Sequence, residues 1–290
     1  MIEVYLMHLV IMIGIYVTLS VGLNLTMGFA GVPNLGHVAF FGIGAYTSAL
    51  LSLSNFPFLF ALVVSGLTGA TSGLLLILLT HELKGGYMAL ATLSFSSLVY
   101  VTLLNWEGLT RGTMGIPGIP KPGLWGVKLA PNTSYALIVL TIMMISLLFA
   151  RRLTASPYGR LWIALRDNEV ALSALGKNIF RLKAQNMMIS AFFAGIAGSL
   201  FAHQLSYIDP SSFYLSETVL ITSIVVLGGL ASLRGTVIAT IIILLIPEAL
   251  YFLNIPAQYV GPAKPIIYAS LLLIILIFRP NGLLGKYSSV

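Results

Sequence analysis

Long apolar runs separated by short polar breaks occupy almost the whole chain. Nine runs reach about membrane-spanning length, for which ~20 residues are needed. They are Tyr5–Met27, Gly36–Leu53, Pro57–Thr80, Gly86–Trp106, Thr133–Ala150, Asn186–Tyr207, Phe213–Leu233, Gly235–Leu253 and Pro262–Phe278. Each reads as a helix, because an open strand leaves its backbone groups unpaired in lipid. The expected fold class is therefore all-α, a polytopic membrane helical bundle of about nine transmembrane segments. Two runs admit a second reading. Gly36–Leu53 is rich in glycine and fits a re-entrant segment, and Gly228, Gly229 and Gly235 fit a broken helix with a tight hairpin. The first run reads as an anchor rather than a cleaved signal: Glu3 stands where a basic region belongs, and the run exceeds the usual signal core.

Composition supports the bilayer as solvent. The chain is 58% hydrophobic and 8% charged, where soluble domains run near a quarter charged. One transmembrane domain over residues 1–290 is expected. The net charge of +7 carries no nucleic-acid signature, because the excess sits in one place. Seven of the fifteen Lys and Arg fall between Arg151 and Lys183, namely Arg151, Arg152, Arg160, Arg166, Lys177, Arg181 and Lys183.

Basic residues collect in cytoplasmic loops. With the N-terminus outside and the C-terminus cytoplasmic, the inner side holds Lys84, those seven, Arg234, Arg279 and Lys286. The outer side holds Arg111, Lys121, Lys128 and Lys264, which gives eleven against four. Residues 151–185 thus form a large inner loop. Residues 107–132, rich in Gly and Pro, form an outer one that suits either contact with an external protein or a solvated linker. Asp209-Pro210-Ser211 and Glu217 mark another outer turn.

The inner loop has helical character. Ser156-Pro157 is a helix start, with serine as N-cap and proline in the first turn, and Gly176 is a stop. Between them Leu161, Ala164, Leu165, Ala171, Leu172 and Leu175 recur as one apolar stripe, leaving Trp162, Ile163 and Val170 off it. A short capped helix with stray apolar residues fits either a docking element for a soluble partner or an interfacial helix on anionic membrane lipid.

Enzymatic patterns are missing from the sequence. There is no GxxxxGK[ST] phosphate loop, HExxH, EF-hand or Gly-x-Ser-x-Gly pattern, no cysteine, and no cluster among His8, His37, His81 and His203 that predicts a metal site. Neither a catalytic residue nor a metal ligand is expected, and no cofactor in this chain. Polar residues at membrane depth are the remaining candidates. Asn24, Asn34 and His37 read either as interhelical hydrogen-bond partners or as lining of a solute path or gate. Gly228 and Gly229 read either as a tight turn or as unwound backbone facing a solute. Gly69 with Gly73, and Ala191, Gly195 and Ser199, form small-residue stripes suited to close helix packing.

Several blocks carry a resemblance. They include Gly22-Leu-Asn-Leu-Thr-Met-Gly28, Leu35-Gly-His-Val-Ala-Phe-Phe-Gly-Ile-Gly-Ala-Tyr46 and Gly115-Ile-Pro-Gly-Ile-Pro120. Ala164-Leu-Arg-Asp-Asn-Glu-Val-Ala171, Ser190-Ala-Phe-Phe-Ala-Gly-Ile-Ala-Gly198, Ser232-Leu-Arg-Gly235 and Arg279-Pro-Asn-Gly-Leu-Leu-Gly285 continue it. In this order they resemble the LivH/LivM-type permeases, subunits of ABC importers for branched-chain amino acids, and the LivM branch more than the LivH branch.

That resemblance implies a bacterial or archaeal plasma (inner) membrane protein that forms half of a path with a second, LivH-like permease subunit. It implies two cytoplasmic ATPase subunits, which would hold ATP and Mg, and an external substrate-binding protein. Arg166, Asp167, Asn168, Glu169, Ala171 and Gly176 match a degenerate EAA-type loop, the family's ATPase-coupling element, with spacing that departs from the general pattern by about a residue. A stand-alone secondary transporter or channel is the competing reading.

Overall fold

A computed structural model describes residues 2–124, 127–128, 132–252, 257–278 and 282–285 of the protein. Arg279, Pro280, Asn281 and Lys286, and parts of the 107–132 loop at 125–126 and 129–131, lie outside the described residues.

Each of the nine apolar runs corresponds to one helix among the described residues: α1 (Ile2–Asn24), α2 (His37–Leu53), α3 (Phe58–Thr80), α4 (Gly85–Asn105), α6 (Asn132–Ala155), α9 (Ile179–Leu205), α10 (Leu215–Gly228), α11 (Leu233–Phe252) and α12 (Ala257–Phe278). Short helices lie between them: α5 (Glu107–Thr110) in the loop of residues 107–132, and α7 (Pro157–Asp167) and α8 (Glu169–Ala174) in the basic loop. Six of the long helices are long and apolar enough to cross a membrane, while α2 and the described apolar part of α11 are shorter. The glycine-rich α2 is one continuous helix of 17 residues.

Both boundaries of the basic loop move. α6 runs on to Ala155, and α9 begins at Ile179, seven residues ahead of its apolar run, so Arg181 and Lys183 belong to a long helix rather than to a loop. Asn178 starts α9 by accepting the Arg181 backbone N–H at 2.9 Å, which is ordinary N-capping.

The core is built where small residues let backbones meet. A Cβ on Gly69 would strike the Ala191 carbonyl, one on Gly195 the Ser65 carbonyl, and one on Gly44 the Gly195 backbone. α2, α3 and α9 therefore pack in near backbone contact, as the stripes predict. At one end Phe41, Phe201 and Phe213 cluster with ring centroids 5.1 to 6.0 Å apart. There the 107–132 loop is pinned by a two-residue antiparallel pairing of Ile116–Pro117 with Tyr207–Ile208, and by His203 Nδ1 donating to the Pro120 carbonyl at 2.8 Å.

α10 and α11 form the tight hairpin. Gly229 (φ 96°) and Ala231 (φ 60°) make the turn, and Gly228 faces the Gly235 backbone so closely that a Cβ would lie 2.6 Å from it.

Candidate functional site

The basic loop folds as two short helices, where the sequence suggested one. Ser156 caps α7 through Gly159 N, and Pro157 fills the first turn. α7 then ends because Asn168 is extended (φ −159°, ψ 98°), and its side-chain oxygen accepts from Ala171 N at 2.9 Å to start α8. Asparagine does this readily, since its carbonyl mimics a backbone acceptor. Gly176 (φ 73°) supplies the left-handed stop expected of it.

The break re-phases the apolar positions. Trp162, assigned to the exposed side by a continuous helix, is 1% exposed, and Leu165 and Leu172 are also buried. Leu175, assigned to the buried stripe, is 76% exposed, alongside Val170 at 71% and Tyr158 at 54%. The change of phase at Asn168 accounts for Leu175, whereas Trp162 lies within α7 and shares its buried face with Leu165, three residues on. The unit is anchored through one face and offers another outward.

Arg166 makes the central connection. Its Nη1 donates to the Gly28 carbonyl at 2.7 Å, its Nη2 sits 3.2 Å from Asp167 Oδ1, and its stem lies against Gly31. Gly31 has φ 64°, and a Cβ there would overlap the arginine stem, so glycine is required on two counts. A second connection is the ion pair of Lys183 Nζ with Glu169 Oε1 at 3.0 Å, which ties α8 to α9 with the lysine nearly buried. Removing one partner of such a pair strands a buried charge. Around these groups lies a cleft of about 180 Å³, whose lining includes Gly31, Lys84, Arg166, Asp167, Glu169 and Lys183.

Gly28 belongs to a π-helical segment, Leu25–Phe29, that extends α1. Such a segment loosens the regular ladder and leaves carbonyls to accept from elsewhere. Asn186 of α9 donates to Leu25 O at 3.0 Å, Ser190 to Gly22 O at 2.7 Å, and Arg166 to Gly28 O. Just before it, Asn24 Nδ2 donates to Thr236 Oγ1 at 2.6 Å, and Asn24 Oδ1 accepts from Ala231 N at 3.0 Å. One stretch of α1 thus meets α7, α9 and the α10–α11 hairpin. No periodicity in the sequence announces it.

The remaining candidates are also held inside the chain. Asn34 is fully buried; its Oδ1 accepts from Gly36 N at 3.0 Å and shapes the entry to α2. His37 Nε2 donates to the Leu19 carbonyl at 3.0 Å. The carbonyls of Leu227 and Gly228 accept from Leu283 N (2.7 Å) and Leu284 N (3.2 Å), so the C-terminal segment occupies the unwound backbone of the hairpin. Asp209 is engaged locally, accepting from Ser212 N at 2.9 Å. The structure unites Arg166 and Asn24 around the α1 segment, and places Asn34 and His37 apart from it, at the start of α2. Among the described residues, no group of three or more His, Cys, Asp or Glu suits a metal ion.

Comparison with known proteins places these features. Residues 5–278 match the family of the permease component of branched-chain amino acid transport systems. The high-affinity branched-chain amino acid transport system permease protein LivM of Salmonella typhimurium is 34% identical over 294 residues, covering 93% of this chain and 68% of that protein. The probable branched-chain amino acid transport permease LivM of Methanocaldococcus jannaschii is 27% identical, covering 94% and 91%. The LivH permease of Salmonella typhimurium is 26% identical, covering 93% and 91%. No solved structure matches. The chain therefore belongs to the permease components of branched-chain amino acid transport systems, a multi-pass plasma-membrane subunit of an ABC importer rather than an enzyme.

Proposed function

We propose that this chain is one domain forming half of the translocation path for branched-chain amino acids or related small polar solutes. It pairs with a second permease, and two cytoplasmic ATPases, which hold ATP and Mg, drive alternating access. An external binding protein delivers the solute. The nine long helices cross the bilayer with the N-terminus outside and the C-terminus inside, on the strength of eleven basic residues against four.

The observation that carries the coupling role is the bond from Arg166 to the Gly28 carbonyl. A docking unit grips partners usefully only if its movement reaches the spanning helices, and rigid short helices transmit force as bodies. Here α7 ends on the α1 segment that also holds α9 and the hairpin, while Val170, Ala171, Ser173 and Leu175 remain exposed for a partner. Asp167, Asn168, Glu169 and Gly176 set the angle of that face.

The test is reconstitution of the chain with its co-purifying subunits in liposomes. ATP-driven uptake of leucine, isoleucine or valine is expected. Arg166→Ala is expected to lower uptake at least tenfold while ATP hydrolysis continues. Uptake without ATP, by the chain alone, would give the protein to the secondary transporters. Orientation is read separately: a cysteine at exposed Lys121 is expected to react with an impermeant reagent from outside, and one at exposed Ser173 from inside.

A further inference from the structure

Among the described residues, α3, α4 and α6 each turn an extended face away from the bundle, and those faces differ in chemistry. α3 exposes Leu59, Phe60, Val63, Leu67, Leu75, Leu78 and Leu79, with Thr71 as its one polar residue in that series. α6 exposes Leu137, Met144, Ile145, Leu148 and Phe149, with Thr141 among them. Both are surfaces suited to lipid chains. The apolar groove of about 420 Å³ between α3, α6 and α9, walled by Ile142, Phe149, Phe192 and Ile196, extends that character.

α4 is different. It is the least buried of the six candidate spans, at 22% against 28% for α6, so little of its surface is committed to this chain. Yet its outward face carries Ser94, Ser97, Thr102 and Asn105 between Leu90, Leu98 and Val101. Ser94 and Ser97 stand at the middle of the helix, the depth at which lipid offers no polar partner. Beside them, between α4 and α10, opens a cleft of about 100 Å³ lined by Leu93, Ser96, Ser97, Tyr214, Leu215 and Thr218. Thr218 is 6% exposed, and its hydroxyl has no hydrogen-bond partner among the described residues. One turn further along α10, the Thr222 hydroxyl is likewise without one. Hydroxyls with unused hydrogen-bonding capacity at membrane depth call for water, a solute or another chain.

We infer that the outward face of α4, with the hydroxyl-lined cleft it shares with α10, lines the solute path, whereas α3 and α6 face lipid. This rests on the proposed pairing with a second permease, which closes the other side of the path over α4. The ligand class follows from the groups present. The lining is uncharged, with hydroxyls for the polar end of a small solute and Leu93, Leu215 and Tyr214 for an apolar side chain. Ser97 and Thr218 are the positions expected to influence which solutes pass.

The test uses the assembled complex in membrane vesicles, with single cysteines at Ser97 and Ser94 on α4, at Val63 on α3 and at Met144 on α6. A small impermeant methanethiosulfonate cation is the probe, and cysteine at Lys121 is the reagent control. Modification at Ser97 or Ser94 is expected to be at least tenfold faster than at Val63 or Met144. It is also expected to block leucine uptake and to slow when leucine, isoleucine and valine are added together. Equal, slow reaction at all four helix positions would overturn the inference, as would rapid reaction that leaves uptake intact. If the unmodified complex takes up none of the three amino acids, the cargo assignment fails. The inference then stands or falls on the labelling ratio alone. Should the Ser97 variant fail to assemble, Ser94, one turn away, carries the same test.

Discussion

α9 and α4 are both long apolar helices interrupted by serine, asparagine and glycine, but they handle polar groups in opposite ways. In α9, 67% of the span is buried and its polar residues find partners in the same chain. Asn186 and Ser190 donate to carbonyls of α1 and its π-helical extension, Ser199 Oγ lies 2.7 Å from Ser48 Oγ, and His203 reaches the 107–132 loop. In α4, the hydroxyls of Ser94 and Ser97 fold back onto carbonyls of their own helix, at 2.9 and 3.2 Å, and otherwise face away from the bundle. A polar residue in a membrane helix thus has two uses. It glues helices together, or it presents a wet surface, and only its surroundings tell which.

The sharpest way to break this comparison is to crowd each helix. Gly195→Leu places a side chain into the backbone of α3 at Ser65 and Gly66. Overpacking typically costs ~1–3 kcal/mol and more where backbone must move, and here backbone lies on both sides. Loss of nearly all folded, detergent-extractable protein is expected, read as the monodisperse peak in size-exclusion chromatography. Ser97→Leu on α4 meets no such wall. Extraction and melting temperature are expected to stay at wild-type values while leucine uptake by the complex falls at least tenfold. Unaltered uptake would return α4 to the lipid-facing class.

Asn24→Leu probes the glue directly. It strands the Ala231 N–H of the hairpin and removes the donor to the Thr236 hydroxyl, which keeps its bond to the Ser232 carbonyl. A buried donor left unpaired costs ~1–3 kcal/mol, so a destabilisation of order 2 kcal/mol is expected in a thermal melt. A shift no larger than that of an exposed α3 substitution such as Leu67→Ala would mean that the hairpin is held by packing alone. The smallest effect belongs to Ser199→Ala, which removes one neutral hydroxyl pair with Ser48. About 1 kcal/mol or less is expected, because Ser48 keeps its contact with His203 at 3.1 Å.

Much of the architecture was legible from one-dimensional pattern. The nine helices were, since each apolar run must close its own hydrogen bonds in lipid. So were the small-residue contacts at Gly69, Gly73 and Gly195, the cap at Ser156 and the stop at Gly176. These rest on local chemistry or on fixed helical spacing. The break at Asn168 was less legible. Asparagine inside a helical stripe is tolerated, and only its observed backbone angles reveal a second N-cap. Leu175 changed sides for that reason, whereas Trp162, inside α7, is buried beside Leu165 by the way that helix packs.

By itself, then, the sequence determined a helical membrane protein, its likeness to the permeases and the basic loop most suited to meet soluble partners. The tertiary structure decided which residues converge. Glu169 and Lys183 are 14 positions apart, Arg166 and Gly28 are 138 apart, and Asn24 and Thr236 are 212 apart. No periodicity of 3.6 residues relates such pairs. It also decided which polar groups are used up inside the chain and which, as on α4, are left for a partner or a solute. Hydrophobic pattern reports that a residue sits in the bilayer, whereas its neighbours across helices depend on how the bundle packs.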